Sequence, residues 1–154
     1  MIKHVWTVVC SNTVIDINTN NISFYNVIEQ LNIAESPKPK GVLPIHLELV
    51  TLWIRDDTNA PVKGESRVSF VNPSGEKHFA ATPPVDLSEK ERVRNLLRFD
   101  GIPVETSGRY YFLVEVRSND KWIEAASVPL TVNFSSSRSE EQKEPNEDQV
   151  TEGK

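Results

Sequence analysis

The chain has a single cysteine, Cys10, among its 154 residues. No intrachain disulfide can form, and because small secreted domains commonly depend on such bridges, the sequence reads as one suited to a reducing compartment. It also lacks the run of about eighteen consecutive apolar residues that a membrane helix requires. After Met1-Ile2-Lys3-His4 the stretch VWTVVCSNTV is broken by Thr7 and Ser11 and carries no small-residue cleavage pattern. A cytoplasmic protein without membrane contact is expected.

Glycine is scarce and scattered. Gly41, Gly64, Gly75, Gly101, Gly108 and Gly153 are isolated residues, so no glycine-rich loop cradles a phosphate. Basic charge is short as well: 17 Lys and Arg against 22 Asp and Glu give a net −5, with no global field to attract nucleic acid. The three histidines, His4, His46 and His78, lie on separate predicted strands without H-x-x-x-H spacing, and one cysteine cannot build a structural zinc site. Neither a metal nor another cofactor is expected.

What is present is an ordinary soluble composition, 38% hydrophobic and 25% charged, in a length typical of one domain. Residues 1–134 hold the apolar runs. Residues 135–154, SSSRSEEQKEPNEDQVTEGK, contain one aliphatic residue, Val150, and six acids against three bases, hence −3. Such a segment cannot bury enough apolar area to offset its ordering entropy, so it reads as a disordered acidic tail whose part is solvation.

Ten prolines and clusters of Asn, Asp and Gly punctuate short apolar runs, as in an all-β sandwich. The predicted strands begin with His4–Ser11, which NTNN at 18–21 reverses into Ile22–Ile33; the imperfect alternation there predicts a bulge or bend near Asn26. SPKPKG at 36–41 is read as a crossing between sheets, followed by a long strand over Val42–Ile54. Arg67–Val71 turns at NPSGEK into His78–Thr82. Residues 86–101 fit either a capped helix, from Ser88 with Glu91, or a turn at Ser88–Arg92 and a strand through Phe99; the strand is the preferred reading. Arg109–Arg117 and Trp122–Val132 close the set across the short loop SNDK. The result is an antiparallel two-sheet sandwich of about eight strands with immunoglobulin-like architecture.

SGRYYFLVEV at 107–116 poses a question, because Tyr110 and Tyr111 must face opposite sides of a strand. Tyr110 shares its face with Phe112, Val114 and Val116, all apolar, and is assigned to the core. Gly108 two residues earlier suggests the corner of immunoglobulin-like sandwiches, where a tyrosine hydroxyl bonds back to the preceding loop. Tyr111 and Leu113 face outward. Val50, Leu52 and Ile54 do the same on their strand, and if the two strands are neighbours these five residues form one apolar patch, either covered by loops or the 36–41 connector or serving as a contact surface.

The strand ending in Cys10, then VIDINTNNISFYNVIEQ, FVNPSGEK, GRYYFLVEV and ASVPLTV together resemble a group of short uncharacterised bacterial β-sandwich proteins of unknown function, over roughly residues 3 to 134. The resemblance implies a sandwich fold and a bacterial or mobile-element cytosol, and it carries no catalytic residue.

Chemistry is thin. Cys10 with His46 across a sheet would be the one candidate thiol nucleophile, but Cys10 alternates in phase with Trp6 and Val8, as a buried inert thiol does. Asp56, Asp57 and Asn59 lack the spaced acids of a calcium loop and read as a turn. Lys90, Arg92, Arg94 and Arg98 share one parity if their segment is a strand, giving a basic stripe flanked by Glu89 and Glu91 that reads as a solvated face. The expected function is therefore binding without catalysis: an interaction or assembly module that contacts another protein or a second copy through the outer face of Val50, Leu52, Ile54, Tyr111 and Leu113, or through a sheet edge. The alternative is a small-molecule or saccharide site on a tryptophan, with Trp122, beside the hairpin loop, the most exposed of Trp6, Trp53 and Trp122.

Overall fold

The structure is a computed structural model that describes residues 1–35 and 37–135. The acidic tail read over 135–154 thus lies, beyond Ser135, outside the described residues. Twelve strands follow one another: β1 (Ile2–Ile15), β2 (Ile22–Val27), β3 (Gln30–Ile33), β4 (Val42–Leu43), β5 (Leu47–Arg55), β6 (Val62–Val71), β7 (Lys77–Ala81), β8 (Pro84–Leu87), β9 (Arg92–Phe99), β10 (Ile102–Pro103), β11 (Gly108–Ser118) and β12 (Lys121–Phe134). Eight of them have five residues or more, in keeping with the expected number. No helix occurs among the described residues, and so none is long and apolar enough to cross a membrane.

One sheet has the order β2-β1-β5-β9, the other β3-β12-β11-β6-β7, with β8 paired to the first half of β6 and a small β4-β10 ladder beside them. All pairings are antiparallel except β3 with β12. The architecture is the expected immunoglobulin-like two-sheet sandwich.

Alternation on the two facing sheets builds the core. Leu47, Leu49 and Trp53 of β5 face Tyr110, Phe112 and Val114 of β11, Phe70 of β6 and Leu130 of β12, all 3% exposed or less. Phe70 stacks on Tyr110 at 5.2 Å and lies 4.9 Å from Phe112, while Phe99 meets the edge of Phe112 at 5.6 Å. Each fully buried side chain of this size contributes roughly 1.5–3 kcal/mol.

Tyr110 is core at one end and a tie at the other. Its hydroxyl donates to the Thr106 carbonyl at 2.9 Å and accepts from the amides of Glu105 and Thr106, both at 3.3 Å, forming the expected corner. Gly108 ahead of it has φ +152°, and a Cβ there would sit 2.8 Å from Pro73 Cγ.

The turns follow their residues. Asn119 and Asp120 form a two-residue loop with positive φ at both, the twist that suits a β-hairpin. The Gly75 amide closes NPSGEK onto the Asn72 carbonyl at 2.9 Å. Residues 88, 89 and 91 make bends and β9 follows as a strand, so the helical alternative is set aside. Asn26, at φ 52°, provides the expected bend, and its consequence is topological. The Ile28 amide still bonds Val9 in the four-stranded sheet, while the Glu29 carbonyl already accepts from Thr131 in the other. The chain thus changes sheets within two residues.

Candidate functional site

The expected five-residue patch does not form. Val50, Leu52 and Ile54 belong to β5 in the four-stranded sheet, whereas Tyr111 and Leu113 belong to β11 in the other. Because the sheets face each other through the core, the two sets lie on opposite outer faces of the sandwich. Alternation within a strand indicates which residues share a face; it says nothing of which strands are neighbours.

On the β11 side, Tyr111 is half-buried and Leu113 only 8% exposed. Glu115, next on that face, is held by Arg67 at 2.8 Å and approached by Lys77 at 3.8 Å. Trp122 is half-buried, with the Arg67 guanidinium 4.4 Å from its ring centroid. A cation already occupies that ring face, which counts against Trp122 as a free stacking platform. Trp53 is wholly buried, its indole donating to Thr51 Oγ1 at 2.9 Å.

On the β5 side, the β1–β2 hairpin supplies what the sequence did not announce. Trp6 packs edge-on against Phe24 at 5.5 Å, the Thr13 hydroxyl donates to Glu48 Oε2 at 2.6 Å, and Arg94 Nη2 donates to Asn20. Trp6, Glu48 and Arg94 lie on the outer face of the four-stranded sheet, so Thr13, Asn20 and Phe24 can reach them only if the hairpin folds back over that face. Val50 is accordingly 0% exposed although it points away from the core. The cover that was expected from loops or from residues 36–41 is supplied by this hairpin.

Between hairpin and sheet lies a groove of about 560 Å³. Trp6, Val50, Leu52 and Leu96 form its apolar floor, and Ile15 and Ile22 the hairpin side. Lys90, Arg92 and Arg94 stand along the opposite side. The basic stripe predicted from parity is real for Arg92, Arg94 and Arg98, which pair with Ile54, Leu52 and Glu48 in the β5–β9 ladder. Arg98 is spent on Glu48 at 3.3 Å.

Glu48 itself is 3% exposed on this outer face. The Thr13 hydroxyl first, then Arg98 and His46, hold its carboxyl below the usual carboxylate range despite burial. Cys10, its ladder partner, is fully buried; burial foremost, and the Glu48 charge next, push the thiol up. Cys10 Sγ lies 3.4 Å from the Asn12 carbonyl, and His46 is engaged with Asp100 at 3.1 Å. A nucleophilic thiol needs an adjacent base or a depressed pKa, and Cys10 has the reverse environment. Asp57 accepts from the Asn59 amide at 2.8 Å, the turn its residues predict.

The hairpin's other face is open to solvent. Val14, Tyr25 and Val27 are 49%, 55% and 53% exposed, and Ile17 at the tip is 95% exposed. β2 is an edge strand. This surface was missed, though one signal for it existed: from Ser11 to Val27 only Asp16 is charged.

No family model matches the chain, and no curated protein matches it. Among solved structures it is similar to a β-glucosidase from Listeria innocua in complex with glucose, at TM-score 0.41 and 15% identity over 77% of this chain and 19% of that one. A second structure of the same enzyme gives TM-score 0.41 and 15% identity over 79% of this chain and 19% of that one. The chain spans about a fifth of the length of these proteins.

Proposed function

We propose that the chain is a non-catalytic assembly module that pairs with a second copy of itself along β2. What supports this reading is the exposure of Tyr25 and Val27 on an edge strand that carries no charged side chain, with exposed Val14 on the neighbouring β1 and Ile17 at the hairpin tip beside them. Edge strands ordinarily carry a charge or a proline that discourages further pairing. The opposite edge, β9, follows that rule with Arg92, Arg94 and Arg98; β2 does not. Two β2 strands meeting antiparallel give each other the ladder partners that an edge lacks, in an isologous contact. With no charge on the strand, two chains of net −5 meet there without local repulsion. The interface proposed from the sequence thereby moves from the outer residues of β5 and β11 to the hairpin. A cytoplasmic place of action, implied by the lone buried Cys10 and by the bacterial resemblance, belongs to the same reading.

Sedimentation velocity of the full chain over a concentration series tests it, beside a Tyr25→Lys variant. Tyr25 is exposed, so the substitution leaves the core intact. Wild type should populate a dimer that Tyr25→Lys abolishes. A monomer at every soluble concentration, or a variant that dimerises equally well, overturns the proposal.

A further inference from the structure

The groove beneath the hairpin differs in charge from the molecule as a whole. The protein carries five more acids than bases, yet three cations, Lys90, Arg92 and Arg94, line the groove and no acidic side chain does so among the described residues. Glu89 and Glu91, their neighbours in sequence, are not part of its lining. Arg94 is committed to Asn20, whereas Lys90 and Arg92 form neither an ion pair nor a side-chain hydrogen bond with any described residue. They border an apolar floor in which Trp6 offers a half-buried aromatic surface. Ligand pockets typically fall between about 300 and 1,000 Å³, apolar with a few placed polar groups, and this groove of about 560 Å³ fits that description.

We infer that the groove binds a small amphipathic organic acid, with its apolar body on Trp6, Val50, Leu52 and Leu96 and its anionic group toward Lys90 and Arg92. Charge complementarity selects the anion, since one placed beside two uncommitted cations gains charge-assisted hydrogen bonds. The apolar floor selects a hydrophobic body over a bare inorganic ion. The inference is independent of β2 pairing, because the groove lies on the sheet-facing side of the hairpin and the pairing surface on its other side.

The test uses two probes of similar shape: 8-anilinonaphthalene-1-sulfonate, which is anionic, and N-phenyl-1-naphthylamine, which has the same aromatic body without the charge. The full chain should bind the sulfonate more tightly than the neutral probe, and the double variant Lys90→Glu, Arg92→Glu should lose about tenfold or more of the sulfonate affinity while keeping that for the neutral probe. Both residues are exposed, so the variant folds. Added salt should weaken the sulfonate alone. In ¹H–¹⁵N spectra the sulfonate should shift the Trp6 indole resonance and leave those of Trp53 and Trp122 in place. Equal affinity of wild type and variant for the sulfonate, or a shift confined to Trp122, overturns the assignment. Equal binding of both probes by wild type does so as well.

Discussion

Arg94 on β9 donates through one nitrogen to both oxygens of Asn20, the main-chain carbonyl at 2.6 Å and the side-chain amide at 2.7 Å. Asn20 sits in the hairpin turn, held at φ 57°, while Arg94 stands on the far edge of the sheet that the hairpin covers. The pair latches the hairpin across β5.

Removing the latch should loosen the hairpin without disturbing the sandwich. Arg94→Ala is expected to cost about 0.5–1.5 kcal/mol, below the usual worth of bonds from a charged donor because both are exposed to solvent. Hydrogen exchange should speed up at β2 amides and stay unchanged at β11. Uniform acceleration across both sheets would mean that the hairpin is not a separable unit.

Tyr110→Phe keeps the ring that stacks on Phe70 and removes three contacts of the hydroxyl. A loss of about 1–2 kcal/mol is expected in urea unfolding, since the released groups of Glu105 and Thr106 are near the surface and regain water. A loss near zero would show that the corner shapes the loop without stabilising it.

Glu48 gives stability a pH dependence of known sign. Its carboxyl is depressed in the folded chain, so its contribution is complete above the unfolded value of about 4.3 and declines as pH falls through the lower folded value. Glu48→Gln should therefore cost roughly 1–3 kcal/mol at neutral pH, and the gap from wild type should narrow below about pH 4. A gap that stays constant down to pH 3 would contradict the assignment.

Cys10 should resist alkylation while the chain is folded. With its side chain fully buried and the thiol pushed up by burial and by Glu48, modification by iodoacetamide should proceed only through opening, at a rate that rises with urea. Labelling at the speed of a free thiol in buffer would show that Cys10 is not sealed from solvent and reopen its use as a nucleophile.

Much of this architecture can be read along the chain. Tyr110, Phe112 and Val114 alternate with Tyr111 and Leu113, and period two leaves them no other arrangement on a strand. Asn119-Asp120 and Asn72-Pro73-Ser74-Gly75 name their own turns because the required dihedrals suit few residue types. Even Asn26 declares itself through broken alternation. These are local properties, decided by backbone sterics and the next two or three residues.

The placement of one strand beside another is not local. Whether β5 neighbours β11 or faces it across the core depends on sheet order, and that order rests on contacts between residues far apart in sequence, such as Arg94 with Asn20 and Thr13 with Glu48. The sequence by itself determined the all-β character, the longer strands, the inward face of β11 and the turns. It read Val42–Ile54 as one strand where β4 and β5 belong to different sheets, and it put Cys10 in phase with Trp6 and Val8 where Val9 is the residue of β1 that enters the core. Only the tertiary structure decided that Val50 is hidden, that Tyr111 stands on the opposite surface, and that a hairpin nearly free of charge encloses a basic-walled groove. The reason is physical: the backbone restricts each residue through its immediate neighbours, whereas covering an apolar face requires a partner, and the identity of that partner is settled by the collective packing of the whole chain.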